Sequence, residues 1–379
     1  MKIGILTQPL YTNYGGLVQC YALQTVLQRM GHETVILQRE FNRKYTFKGA
    51  CLYYVKHFVK LLMGKQSSWH YSVPQGKRDY IARYTSEFIK KNIKPRSKHC
   101  HTNEQLMHEV QLLKLDAIIV GSDQVWRPYY SPYQPNYFLD FLSEDSPVKR
   151  ISYAASFGGD DWTFSEELTS QCAVLLKRFN SVSVREQSGI HLCKKHFGVD
   201  AVQVLDPTML LEPIDYKALV SKNKAIRGNL FCYVLDRSVQ KKKIIQLIAD
   251  KTGLKPFESM PMLSDSTWNL YGEIDKCVYP PVEDWLSSFM EAEMVITDSF
   301  HGTVFSIIFN KPFWVIGNEG RGMARFNSLL SMFNLEDRLV NASSLDKEKL
   351  LATIDWGSVN NTRKHYQEES KQFIINAFS

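Results

Sequence analysis

The chain has no apolar run approaching the about 18 residues that a membrane-crossing helix requires. Its apolar start soon meets Pro9 and polar residues, too short a stretch for a signal peptide. The seven cysteines stand singly, are odd in number and never form C-x-x-C, which argues against a disulfide framework or a zinc site and fits a reducing, cytoplasmic setting. No G-x-G-x-x-G follows the first predicted strand, so a nicotinamide cofactor gains no support. A Gly, Pro or Ser bias that would signal disorder is also lacking, so the chain is expected to fold throughout.

Charge is present but uneven. Of the net +7, residues 41–100 hold 14 Lys or Arg against 2 Asp or Glu, a local +12 that leaves the remainder at −5. Within that segment, residues 50–63 interleave aromatic and aliphatic residues with lysines. Two readings stand: a surface helical insertion packed on the body, or a helix lying at an anionic membrane surface. Nucleic acid is not an expected partner, because the rest of the chain is acidic and no nucleic-acid motif accompanies the patch.

At 379 residues the chain is long enough for two cores. Strand, turn, helix and strand are predicted over 3–7, 8–16, 17–30 and 33–37, a β-α-β start. After the basic insertion come a helix near 103–113, strands at 116–120, 150–154, 181–184 and 202–205, and helices near 166–178 and 189–196. The series then restarts, with strands at 230–235, 255–258, 294–297 and 312–316. The expected fold is α/β: two Rossmann-like domains facing a central cleft, over 1–208 and 209–360, with a helix in 361–379 that can cross back onto the first domain.

Ligands of such sheets gather beyond the carboxyl ends of the strands. One turn there, Thr12-Asn13-Tyr14-Gly15-Gly16, lets backbone approach an anion or a sugar. In a second, Ser122, Asp123, Gln124 and Trp126 offer a carboxylate, an amide and an indole suited to a hydroxylated ring, although Asp123 could simply cap a turn. A third, 154–158, is small and permissive. In the fourth, Asp298-Ser299-Phe300-His301-Gly302, a histidine stands where a strand gives way to a helix, placed for proton transfer beside amides that bind anions. Arg185, Arg321 and Arg325 are candidate anion clamps.

The ordered set N-Y-G-G-L-V-Q-C-Y-A-L, G-S-D-Q-V-W, Y-A-A-S-F-G, S-V-R-E, L-D-P-T and D-S-F-H-G-T resembles the polysaccharide pyruvyl transferase family. The resemblance implies a fold like that of GT-B glycosyltransferases and transfer of pyruvate from phosphoenolpyruvate to a sugar as a ketal, in surface polysaccharide assembly. It implies no metal or redox cofactor, phosphoenolpyruvate being a co-substrate. The catalytic residues are then expected to be His301, as general acid, and Asp123. Donor-binding residues would be Arg185, Ser299, Gly302, Arg321 and Arg325, and acceptor-binding residues Asn13, Tyr14, Gly15, Gly16, Gln19, Ser122, Gln124 and Trp126.

One departure concerns the donor. Some family members carry Arg-Leu-His where this chain has Ser299-Phe300-His301, and a serine cannot replace a guanidinium. Arg321 or Arg325 is then expected to supply the charge, or the donor differs. For the acceptor the resemblance suggests a hexose, such as a galactose on a polyprenyl-diphosphate carrier, which the basic segment 41–100 would suit at the inner membrane face. The alternatives are a GT-B glycosyltransferase using a nucleotide-sugar donor and a non-catalytic sugar-binding homologue.

Overall fold

The computed structural model describes residues 1–41, 47–62, 73–220, 228–266, 269–317, 322–340 and 350–379. Seven parallel strands form the first sheet: β1 (Lys2–Leu6), β2 (Glu33–Arg39), β3 (Arg96–Cys100), β4 (Ala117–Val120), β5 (Lys149–Ala155), β6 (Ser181–Val184) and β7 (Val202–Gln203). Their order is β3-β2-β1-β4-β5-β6-β7. Five more parallel strands, β8 (Leu230–Tyr233), β9 (Pro256–Phe257), β10 (Met294–Thr297), β11 (Phe313–Ile316) and β12 (Leu339–Val340), form a second sheet ordered β12-β11-β10-β8-β9. Central strands such as Ala-Ile-Ile-Val in β4 are buried throughout, as a sheet covered by helices on both faces requires.

In each sheet the strand order reverses once, between β1 and β4 in the first and between β8 and β10 in the second. Such reversals splay the connecting helices apart and open a crevice at the strands' carboxyl ends. The two crevices face each other, and all the turns singled out above except 154–158 run into the space between them.

An apolar core joins the sheets. Tyr14 stacks on Trp285 at 5.5 Å and its hydroxyl donates to Pro280 O at 2.7 Å, while Tyr216 meets Phe305 edge-on at 5.0 Å. The helix Trp356–Phe378 returns to the first sheet: Gln367 Nε2 donates to Met209 O at 2.6 Å and Leu205 N to Ser370 Oγ at 3.0 Å.

The basic segment is not one appended insertion. Its last residues are the edge strand β3, and the helix Arg83–Asn92 sends Phe88 into the core. The helix Gln75–Ile81 reaches the second sheet's side, where Ile81 packs with Leu270 and Cys277 and Tyr80 Oη donates to Asp275 Oδ1 at 2.5 Å. Among the segment's described residues, the helix Phe47–Leu62 leaves Leu52, Val55, Phe58 and Val59 exposed. Among the described residues no helix is long and apolar enough to cross a membrane. All seven cysteines are free thiols, six of them buried.

Candidate functional site

The facing crevices make a cleft of about 1070 Å³. The turn after β1 brings Asn13 and Tyr14 to it, the turn after β4 brings Asp123 and Gln124, and the turn after β10 brings Asp298, Ser299, Phe300 and His301; Arg325 enters from the helix Ala324–Met332. That helix is tied to the first sheet's side by Ser328 Oγ, which accepts from Gln187 N at 3.0 Å and Gln203 Nε2 at 2.8 Å.

Beneath the cleft lies Asp206, whose carboxylate is fully buried. It accepts hydrogen bonds from Ser122 Oγ (2.9 Å), Arg185 Nη1 (2.9 Å), Thr208 N (3.0 Å) and Thr208 Oγ1 (2.7 Å), and His301 Nε2 lies 3.6 Å away. Burial alone would raise its pKa, but His301, Arg185 and Thr208 outweigh it and hold the carboxyl well below the usual range. It is therefore a fixed anion. Arg185 in turn lies over the Phe300 ring at 4.2 Å and 3.9 Å from Asp123 Oδ1.

Asp123 adopts φ +76°, a left-handed backbone uncommon for a residue with a Cβ and frequent at sites under functional constraint. The turn is held by Ser156 N and Val125 N, both donating to Asp123 O. One carboxylate oxygen accepts from Gln124 N at 2.9 Å and the other from Asn13 Nδ2 at 3.0 Å, leaving lone pairs toward the cleft.

His301 sits in the first turn of the helix Phe300–Ile308. Ser299 is the N-cap, its Oγ accepting from Gly302 N at 3.4 Å, so one of the helix's anion-binding amides is already occupied by the chain itself. The amides of Phe300 and His301 precede any intrahelical acceptor and point out of the helix start. Gly15 is needed beside the imidazole: a Cβ there would fall 2.1 Å from His301 Nδ1.

Arg325 is buried, and desolvation together with the neighbouring Arg185 brings its guanidinium down to about 10, with Glu186 and Asp123 acting in the opposite sense. Glu186 is sealed beneath, accepting from Ser156 Oγ at 3.0 Å and Phe157 N at 2.8 Å, and burial raises its carboxyl above the ordinary value. Asp298 accepts from Leu235 N (2.6 Å), Asp236 N (3.1 Å) and Lys241 Nζ (2.5 Å), which braces the turn carrying His301. Among the described residues no group of three or more His, Cys, Asp or Glu is placed to hold a metal ion.

The expected site residues thus separate into layers. His301, Asp123, Asn13, Tyr14, Gln124, Ser299 and Arg325 line the cleft. Gly15 and Gly16 form its close-packed wall, against His301 and Asn13. Gly302 packs on Thr297, where a Cβ would lie 2.0 Å from Oγ1. Arg185 and Ser122 are one layer back, held by Asp206, so Arg185 acts through that carboxylate rather than as an open clamp. Two expectations are corrected. Trp126 is wholly buried, stacked on Phe138 with its Nε1 donating to Tyr137 O at 2.9 Å, and Gln19 is wholly buried, donating to Thr7 Oγ1 at 2.8 Å and Gly16 O at 3.0 Å; neither can meet a sugar. Arg321 lies outside the described residues.

Asp206 was not among the expected residues. Its one sequence signal is L-D-P-T, which reads as a capped turn, and it does cap the turn Pro207–Leu210. The same side chain also faces a histidine from the other sheet.

Solved structures similar to this chain share its fold over nearly its whole length. They include S. aureus MnaA solved with UDP (13% identity, TM-score 0.50, 99% of this chain and 95% of that one). Another is the UDP-GlcNAc 2-epimerase of Neisseria meningitidis bound to UDP-GlcNAc (10% identity, TM-score 0.51, 100% and 99%). The architecture is GT-B-like, and at such identities the likeness speaks for fold alone. No curated protein matches the sequence. The family description that does match, polysaccharide pyruvyl transferase, runs over residues 13–320, from the Asn13 turn through both crevices and the His301 turn, and the chain belongs to that family.

Proposed function

We propose that the chain transfers the pyruvyl group of phosphoenolpyruvate to two hydroxyls of one sugar and closes it there as a ketal, in surface polysaccharide synthesis. The observation that carries this reading is the meeting of His301, Asp123 and Arg325 in one cleft, an acid, a carboxylate and a cation brought there by two strand-end turns and one helix. His301 protonates the methylene carbon of the donor, whose double-bond pair forms the new C–H bond and leaves an oxocarbenium at the neighbouring carbon. A sugar hydroxyl adds there, giving its proton to Asp123. The second hydroxyl then adds as the C–O bond to phosphate breaks. Asp123 passes its proton to the departing phosphate and the second hydroxyl's proton restores His301, so both side chains return to their starting states and the protons balance.

Arg325 and the amides opening the helix Phe300–Ile308 suit the donor's phosphate and carboxylate, with Arg325 supplying the charge that Ser299 lacks. No resident cofactor is required. The acceptor in this reading is a hexose, such as galactose, on a polyprenyl-diphosphate carrier. Support comes from the helix Phe47–Leu62, whose exposed Leu52, Val55 and Phe58 beside Lys56 suit peripheral contact with an anionic membrane.

Incubation with phosphoenolpyruvate and lipid-linked oligosaccharides, followed by mass spectrometry, should yield a product carrying a pyruvate ketal together with free phosphate. Thermal stabilisation by a nucleotide sugar but not by phosphoenolpyruvate would instead favour a glycosyltransferase and overturn the reading.

A further inference from the structure

We propose that Asp206 is the positioning residue of His301, fixing which imidazole nitrogen exchanges protons with substrate. The proposal rests on the reading of His301 as the acid, and adds a residue and an atom to it.

The two imidazole nitrogens have different surroundings. Nε2 is sealed from solvent, has no hydrogen-bond partner closer than the 3.6 Å ion-pair contact, and faces Asp206 Oδ2. His301 nevertheless lines the cleft, and Nδ1, which packs beside Gly15, is not sealed as Nε2 is. A buried ring nitrogen with one acceptor in range places its proton toward that acceptor. Nδ1 is then left to give and regain the proton used in chemistry.

Asp206 is built to stay put while this happens. Ser122 and Arg185 bind the oxygen that faces the histidine, Thr208 binds the other oxygen twice, and these donors come from three different turns of the first sheet. The charged groups around the pair are Arg185, Asp123 beyond it at 3.9 Å, and Arg325, which repels Arg185. A slight closure of the second sheet on the first would shorten 3.6 Å to a charge-assisted hydrogen bond of about 2.8 Å.

The test uses the full chain with 15N-labelled histidine, His301→Gln identifying the His301 signals. The expected result is a slowly exchanging, far-downfield Nε2 proton in the unaltered protein that disappears in Asp206→Asn. In the same variant kcat should fall about a hundredfold while KM for phosphoenolpyruvate stays within about threefold. A chain without such a proton, or an Asp206→Asn variant that keeps it, overturns the proposal, and so does a variant with undiminished kcat. If Asp206→Asn does not fold, the unaltered protein's spectrum decides alone. Failure to turn over phosphoenolpyruvate would strike the ketal reading, leaving the proton signal to judge Asp206 independently.

Discussion

His301 and Gly15 touch across the two sheets, so closely that a Cβ at position 15 would sit 2.1 Å from Nδ1 and 2.4 Å from Cγ of the imidazole. The glycine opens the helix Tyr14–Arg29 of the first sheet, and the histidine opens the helix Phe300–Ile308 of the second. The imidazole is thus seated by two helix starts, one from each sheet's side.

Gly15→Ala should therefore displace the ring without unfolding the protein. A shift near 1 Å at a reacting group costs about a hundredfold in rate. Phosphate release should fall by that order while the melting temperature moves by only a few degrees. An alanine variant of full activity would show that the contact does not set the ring.

Ser299→Ala removes the hydroxyl that caps Gly302 N, a loss of about 1 kcal/mol in comparable caps. Thermal denaturation should report that loss. Activity should drop moderately, since the turn loses its definition but no donor-binding charge.

Arg325 should be more sensitive than its position on a short helix implies. Arg325→Met, by removing a buried cation from the cleft, is expected to lower kcat/KM for phosphoenolpyruvate about a hundredfold or more, with Arg325→Lys recovering part. Equal kinetics for all three forms would place donor binding elsewhere.

The stability difference between the unaltered chain and Asp206→Asn should depend on pH with a defined sign. The folded-state pKa of Asp206 is depressed, so its ionisation stabilises the fold above the unfolded value of about 3.9 and that contribution fades as pH falls. Denaturation midpoints measured from pH 8 to 3 should differ by a constant amount down to about pH 5 and converge below about pH 4. A difference growing toward acid would contradict the assignment.

Replacing Leu52, Val55 and Phe58 together by serine tests the membrane contact. These side chains are exposed, so the melting temperature should not change, whereas binding to vesicles rich in anionic lipid should fall about tenfold or more. Unchanged binding would remove that part of the proposed function.

Much of the fold was legible, because buried parallel strands such as Ala117–Val120 and Met294–Thr297 are short, mostly apolar runs between polar turns. β3 was missed for the opposite reason. Arg-Ser-Lys-His-Cys, at the sheet's edge, has no apolar run and is defined by pairing with β2. The His301 turn could be read because its cue is local, a strand ending in a histidine at a helix start. Asp206 could not, because its local role as a cap accounts fully for L-D-P-T, and its second role depends on a residue 95 positions away. Trp126 erred by the same logic: nothing near it in sequence shows that Phe138 and Tyr137 will cover it.

The helix Trp356–Phe378 has a consequence for synthesis. It is translated after every strand of the second sheet, yet it supplies Ser370 and Gln367 to the turn that holds Asp206. Domains commonly complete in the order in which they leave the ribosome. Here the earlier one must wait: a nascent chain arrested before residue 356 would lack the hydrogen bonds of Ser370 and Gln367 to Leu205 and Met209, on either side of the buried carboxylate. The frame around Asp206 is complete only once that helix has emerged.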